Sequence, residues 1–148
     1  MLLPRDPGQS WDQVLAANER LALAAGDRLL SPADRARLER IAARIQAHHP
    51  QLERYASERK IELTQTGNAG IQVSLFPGDL AVTIAYGHTG PAARAVMRIV
   101  WSYLAILTQE TGWEVYDWQL GRSLDRAHDL DEVTAAYTGA SARLHGML

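Results

Sequence analysis

The sequence predicts an α+β fold, and three observations carry that expectation. Apolar residues recur at three- and four-residue spacing through the first third of the chain and again from Pro91 onward. Between Lys60 and Tyr86 the spacing changes to strict alternation, the period of strands with one apolar face. A long apolar run from Thr89 to Gly112 opens on a proline and closes on a glycine, the punctuation of a helix. The expected order is two N-terminal helices, a three-stranded antiparallel meander, a long central helix, a fourth strand and a C-terminal helix. A chain of 148 residues suits one domain, with a helical part at 10–49, the sheet and central helix at 60–118 and the last helix at 129–145.

Each element has a local reason. Ser10 is an expected N-cap with Gln13 placed to complete a capping box. Behind it Trp11, Val14, Leu15, Asn18, Leu21 and Ala25 share a helical side, and Gly26 stops the run. Ser31, Pro32 and Asp34 form a second start signal of cap, first-turn proline and acid near the positive end of the helix dipole. Leu38, Ile41, Ala42 and Ile45 then make a narrow stripe that ends before Pro50. Residues 51–58 read as a short helical turn through Leu52 and Tyr55. Alternation follows in Ile61 and Leu63, in Ile71, Val73 and Leu75, and in Leu80, Val82, Ile84 and Tyr86. Turns are expected at Gly67-Asn68-Ala69-Gly70 and at Phe76-Pro77-Gly78-Asp79.

In the long helix Val96, Ile99, Val100, Tyr103, Leu104 and Leu107 form the main apolar stripe. Met97, Trp101 and Ile106 widen it, so neighbours are expected on more than one side. Trp113–Trp118 reads as the fourth strand. A helix of ~20 residues spans ~30 Å, which returns the chain to its starting end and sets this strand parallel to the third. Its place beside the first or the third strand stays open. Asp129 or Asp131 is expected to cap a last helix with Val133, Ala136, Tyr137, Ala140 and Leu144 on one face.

Composition removes several classes of function. Cysteine is absent, which excludes disulfides, thiolate metal sites and a cysteine nucleophile. The start, MLLPRDPGQSW, has two prolines and an aspartate where a secretory signal would need an apolar run. Arg94, Arg98 and Glu110 interrupt the long helix well short of the ~20 apolar residues of a membrane span. These points favour a cytoplasmic protein without a membrane partner. A net charge of −2 gives no general reason to expect nucleic acid.

The runs GIQVSLFPGDLAVTIAY and VWSYLAILTQETGWEVYDWQLGRSLD carry a resemblance. They are similar to small, mostly uncharacterised bacterial α+β proteins with a VW-x-YL helix and a YDPQ-x-GR-x-LD segment. The resemblance covers about Ile61–Asp125, and Trp118 stands where the pattern has proline. Tyr116, Asp117, Gln119, Gly121, Arg122, Leu124 and Asp125 match. Some of these look-alikes are companion proteins that neutralise toxins, so the resemblance implies a toxin as partner and no catalytic role.

Four candidate sites emerge. The first is Tyr116, Asp117, Trp118, Gln119 and Arg122. Strand alternation would put Glu114, Tyr116 and Trp118 on one face, where aromatics beside an acid and an arginine suit a protein-binding hot spot. The alternative is that the N-terminal helices cover this face, leaving the aromatics in a core and Asp117 paired with Arg122. The second is His88, Thr89 and Gly90, where a strand–turn–helix junction offers N–H groups to an anion, although a plain turn explains it as well. The third is Asp125, Asp129, Asp131 and Glu132 with His128; the spacing fits no known metal loop, and helix capping accounts for the acids. The fourth is Arg35, Arg37, Arg40 and Arg44, which read better as a solvated face than as a nucleic-acid patch. His48 and His49 are read as ordinary helix-end residues.

The reading is a non-catalytic protein-binding module, immunity-like in its pairing with a toxin. No cofactor is expected, and self-association stays open. The second reading is a small-molecule- or metal-dependent enzyme using His88 and nearby acids such as Asp117 or Asp125.

Overall fold

A computed structural model describes residues 1–25, 28–67 and 70–146. Gly26, Asn68 and Ala69, which carry two of the expected chain stops, lie outside the described residues. The elements are β1 (Leu2–Leu3), α1 (Trp11–Ala25), α2 (Pro32–His48), β2 (Leu52–Ala56), β3 (Ile61–Gln65) and β4 (Ile71–Leu75). They continue through β5 (Leu80–Ile84), α3 (Gly90–Thr111), β6 (Glu114–Asp117), β7 (Arg122–Ser123) and α4 (Leu130–Gly146). The strands form one seven-stranded antiparallel sheet in the order β2-β3-β4-β5-β1-β6-β7. The α+β class holds, and the sheet is larger than the sequence suggests.

Two elements correct the expectation. Residues 51–58 are not a helical turn. β2 pairs with β3 along its whole length, from Leu52↔Gln65 to Ala56↔Ile61. As the sheet's edge it buries only Leu52 and exposes Glu53 and Arg54, charges that discourage edge-to-edge pairing. The meander therefore has four consecutive strands. The second correction is β1, which inserts between β5 and β6 and pairs with both. β6 runs in the same sense as β5, because each is antiparallel to β1, but it touches neither end of the meander directly.

The capping signals hold. Ser10 Oγ accepts from Gln13 N at 3.2 Å while Gln13 Oε1 accepts from Ser10 N at 3.0 Å. Ser31 Oγ accepts from Asp34 N at 3.1 Å. α3 ends on Gly112 in the left-handed conformation with φ of 67°, where its N–H closes on Thr108 O at 2.8 Å.

The two N-terminal helices lie on opposite faces of the sheet. α2 sits beside α3, and Leu38, Ile41 and Ile45 join Val100, Tyr103, Leu104 and Leu107 over the inward residues of β1 and β3 to β6. α4 covers the far side of α3, where Val133 and Tyr137 meet Ala93 and Met97, which explains the breadth of the α3 apolar surface. Its predicted face is corrected at the end: Ser141 is buried and Leu144 is 45% exposed. α1 packs on the opposite face near β1 and β6. Its Val14 is buried beside Leu3, and the Trp11 ring lies 4.8 Å from that of Tyr116. Leu21, expected on the buried side of α1, is exposed.

Candidate functional site

The end of the sheet where β6 turns into β7 gathers most of the residues singled out by the sequence. β6 stops at Asp117, one residue before the expected end. Asp117 Oδ1 accepts from Gln119 N at 2.8 Å and from Leu120 N at 2.9 Å, which curls the backbone through residues 118–121. Gly121 supplies the positive φ of 66° that lets the chain return, and its N–H donates to Asp117 O at 2.8 Å. β7 then pairs back, Tyr116↔Ser123 and Asp117↔Arg122.

This turn leaves the two aromatics in contact but unequally buried. Tyr116 is buried between Trp11 of α1 and Trp118, whose ring meets it edge-on at 5.2 Å. Trp11 is itself fixed by Nε1 donating to Ser123 Oγ at 2.5 Å. Trp118 leaves the strand and is 62% exposed. Gln119 reaches across to β5's continuation, Nε2 donating to Tyr86 Oη at 2.9 Å, and Tyr86 is also exposed. On this face α1 covers Tyr116 and leaves Trp118 in solvent.

Asp117 and Arg122 do not form the internal ion pair considered from sequence, although their backbones are register partners. Arg122 reaches to α4 instead. Its Nη1 donates to Asp129 Oδ2 at 2.7 Å, and its Nη2 donates to Asp129 Oδ1 at 3.1 Å and to Glu132 Oε2 at 2.6 Å. Such a fork on one carboxylate is geometrically demanding and ties the β7 hairpin to the start of α4. Asp129 sits at the expected cap position, where its carbonyl accepts from Val133 N, but its carboxylate serves Arg122 and Asp125 N rather than the helix.

The Arg122 hydrogen bonds hold the Asp129 carboxyl at about 2, below its usual range, and raise Arg122 further. A carboxylate lowered on folding contributes stability that is present above its unfolded value of 3.8 and is lost as pH falls toward about 2. Asp129→Asn is thus expected to be less stable than the parent near neutrality and to converge with it at acid pH. Urea midpoints compared from pH 7 to pH 2 check this; a gap independent of pH would mean that the pair carries no linkage.

The other candidates are brought to internal partners. At the strand–helix junction Gly87 N donates to Ser141 Oγ at 3.2 Å and His88 N to Tyr137 Oη at 3.4 Å, so α4 satisfies donors that an anion would need. The His88 ring stacks on Tyr137, and Thr89 is the α3 N-cap without a side-chain cap bond. Asp125 pairs with His128 at 2.7 Å, which lowers the carboxyl and raises the imidazole, and Asp131 pairs with Arg94 at 2.5 Å. Among the described residues no three histidine or carboxylate side chains gather to hold a metal ion. His88 is not brought to Asp117 or Asp125 in any of these contacts. On α2, Arg44 binds Glu110 and Gln109, Arg35 donates to Ser57 O, and Arg37 lies over the Trp113 ring, so these arginines brace the fold.

Sequence reasoning missed a slot in the sheet beside Trp118. β1 pairs with β5 only at Leu2↔Leu80, and an opening lies between the rest of β5 and β6. Leu80, paired with Leu2, is fully buried, whereas Val82 and Ile84 further along the same face of β5 are only half-buried. The opening is about 330 Å³, floored by apolar side chains of α3 and walled by β5 on one side and by Val115–Gln119 on the other. Tyr86, the residue that opens the strand–turn–helix junction, stands at its far end.

Among the described residues no helix is long and apolar enough to cross a membrane. No family model, curated protein or solved structure matches this chain, so its functional reading rests on the geometry of its own residues.

Proposed function

We propose that the protein is a non-catalytic protein-binding module whose contact surface is the β6–β7 turn with Tyr86 beside it. The exposed Trp118 carries this reading. A tryptophan in solvent gives up apolar contact that a partner would recover, and tryptophan and tyrosine dominate binding energies at protein interfaces. Asp117 and Arg122 hold the tip through the Asx turn and the fork to Asp129, so the surface is set before a partner arrives. A toxin neutralised by this protein is the partner class that the sequence resemblance implies. The enzyme reading draws no comparable support, because His88 is engaged with Tyr137 of α4 and Asp125 with His128.

Trp118→Ala separates binding from folding. It is expected to change stability by less than ~1 kcal/mol, as an exposed side chain with one aromatic neighbour. It is expected to weaken a partner complex by at least ~2 kcal/mol. A urea melt of the variant, followed by comparison of wild-type and variant as bait in extracts of the native cells, checks both halves. Loss of several kilocalories in the melt, or recovery of the same partners by both baits, would remove Trp118 from the contact surface.

A further inference from the structure

We infer that two copies of this chain join edge to edge through β2, so that their sheets continue into one across a two-fold axis at Tyr55. This surface lies at the opposite edge of the sheet from the β6–β7 turn and goes beyond the reading of that turn.

The main chain of β2 defines what is free to pair. Ser57 N donates to Lys60 O at 2.9 Å, which makes Ser57 and Lys60 a hydrogen-bonded pair at the head of the β2–β3 ladder. The direction of the main-chain groups alternates along an antiparallel strand, so Tyr55 and Glu53 also turn theirs toward β3. Leu52, Arg54 and Ala56 turn theirs outward, and among the described residues no strand meets them there. Leu52 is served from within its own chain: its N–H donates to His49 O at 3.2 Å, and its carbonyl accepts from Gln46 Nε2 at 3.4 Å. Arg54 and Ala56 remain, each with an N–H and a C=O aimed out of the sheet. The helix above leaves them accessible, because α2 packs over β3 and the exposed residues beside Glu39 on its flank are Ala36 and Ala43.

These groups are complementary to themselves. Registers of two antiparallel copies centred on Glu53 or on Arg54 set a charge directly opposite its own copy, which is destabilising. The register centred on Tyr55 avoids both. It places Arg54 opposite Ala56 of the second copy and Ala56 opposite Arg54, so each free donor meets a free acceptor. Glu53 then faces Ser57. The exposed Tyr55 ring meets its own copy at a closely spaced, non-hydrogen-bonded place, where aromatic pairs are favourable. The charges that discourage pairing of this edge in other registers thus select this one. Arg54 keeps its ion pair with Glu39. The two α2 helices come to lie three strand spacings apart, on the order of 14 Å, which leaves room for those side chains. The product is a two-headed module with a β6–β7 turn at each far end.

The chain has no cysteine, so a single introduced thiol reports the register without interference. At the closely spaced place the two Cα atoms stand about 4.5 Å apart, within the ~4.4–6.8 Å that a disulfide spans. Tyr55→Cys in the full chain is expected to oxidise in air to a covalent dimer. Glu53→Cys, whose copy lies about 13 Å further along the facing strand, is expected to stay monomeric. Sedimentation of the parent chain is expected to show a dimer that Ala56→Pro abolishes, because proline deletes a donor that the monomer leaves in solvent. Circular dichroism establishes that this variant is folded; if it is not, the cysteine pair decides alone. Trp118→Ala is expected to dimerise as the parent does, which keeps this surface distinct from the β6–β7 turn. A parent chain that sediments as a monomer up to millimolar concentration leaves the edge to a foreign strand and overturns the inference. Equal cross-linking of the two cysteine variants, cross-linking of neither, or a folded Ala56→Pro variant that dimerises like the parent overturns it as well.

Discussion

Tyr103→Ala is expected to cost about 3–5 kcal/mol of folding stability, the range for removing a large aromatic from a packed core. Tyr103 is fully buried at the centre of α3, where α2 and the sheet close over it. Its hydroxyl meets His49 Nδ1 at the end of α2, so the ring both fills volume and joins two helices. Tyr103→Phe keeps the volume and is expected to lose only about 0.5–1.5 kcal/mol, the net worth of one hydrogen bond. Burial also pushes the phenol up to about 12 from its usual 10.0. A group raised on folding contributes stability that is complete below its unfolded value and is lost as pH rises from about 10 toward about 12. The phenylalanine variant should therefore show a flatter alkaline limb than the parent in denaturant melts. A cost below ~0.5 kcal/mol for the alanine variant would place Tyr103 outside the core.

Leu2→Ala is expected to cost about 2–5 kcal/mol, far more than its place near the start of the chain suggests. Residues at chain ends usually tolerate change because little holds them. Leu2 is instead fully buried in the middle of the sheet, bonded on both sides. Leu144→Ala, at an exposed position on α4, is the comparison and should stay within about 0.5 kcal/mol. Equal, small effects from both would mean that β1 is not a central strand.

The parts legible in the sequence are those decided within a few residues. The Ser10–Gln13 capping box, the Ser31 cap, the Gly112 stop and the alternation of β3 to β5 all depend on local chemistry, and the structure holds each of them. β1 escapes because two leucines have no period, and a strand covered on both faces shows an apolar pair and no alternation. β2 reads as a helical turn because Leu52 and Tyr55 stand three apart, while an edge strand exposed on most of its length gives no apolar rhythm. At the candidate site the sequence marks Tyr116, Asp117, Trp118, Gln119 and Arg122 but carries the strand on through Trp118. The Asp117 carboxylate turns the backbone before Trp118, a choice between strand and turn that strand periodicity cannot register. Arg122 finds its acids on α4, and the opening lies between β5 and β6, strands far apart in sequence, so both depend on tertiary packing.

The position of β1 also sets an order of events. Met1 and Tyr116 exchange main-chain hydrogen bonds across 115 positions of chain. During synthesis β1 therefore emerges long before either strand that will flank it. The hairpins β2–β3, β3–β4 and β4–β5 close loops of a few residues and can form early, whereas β1 must wait for the costliest closure in the sheet. A strand that docks last is absent from the folding transition state. Leu2→Ala should accordingly leave the refolding rate almost unchanged and express its whole cost as faster unfolding. In that case β1 acts as a latch: it adds nothing to the speed of assembly and sets how long the assembled sheet stays closed.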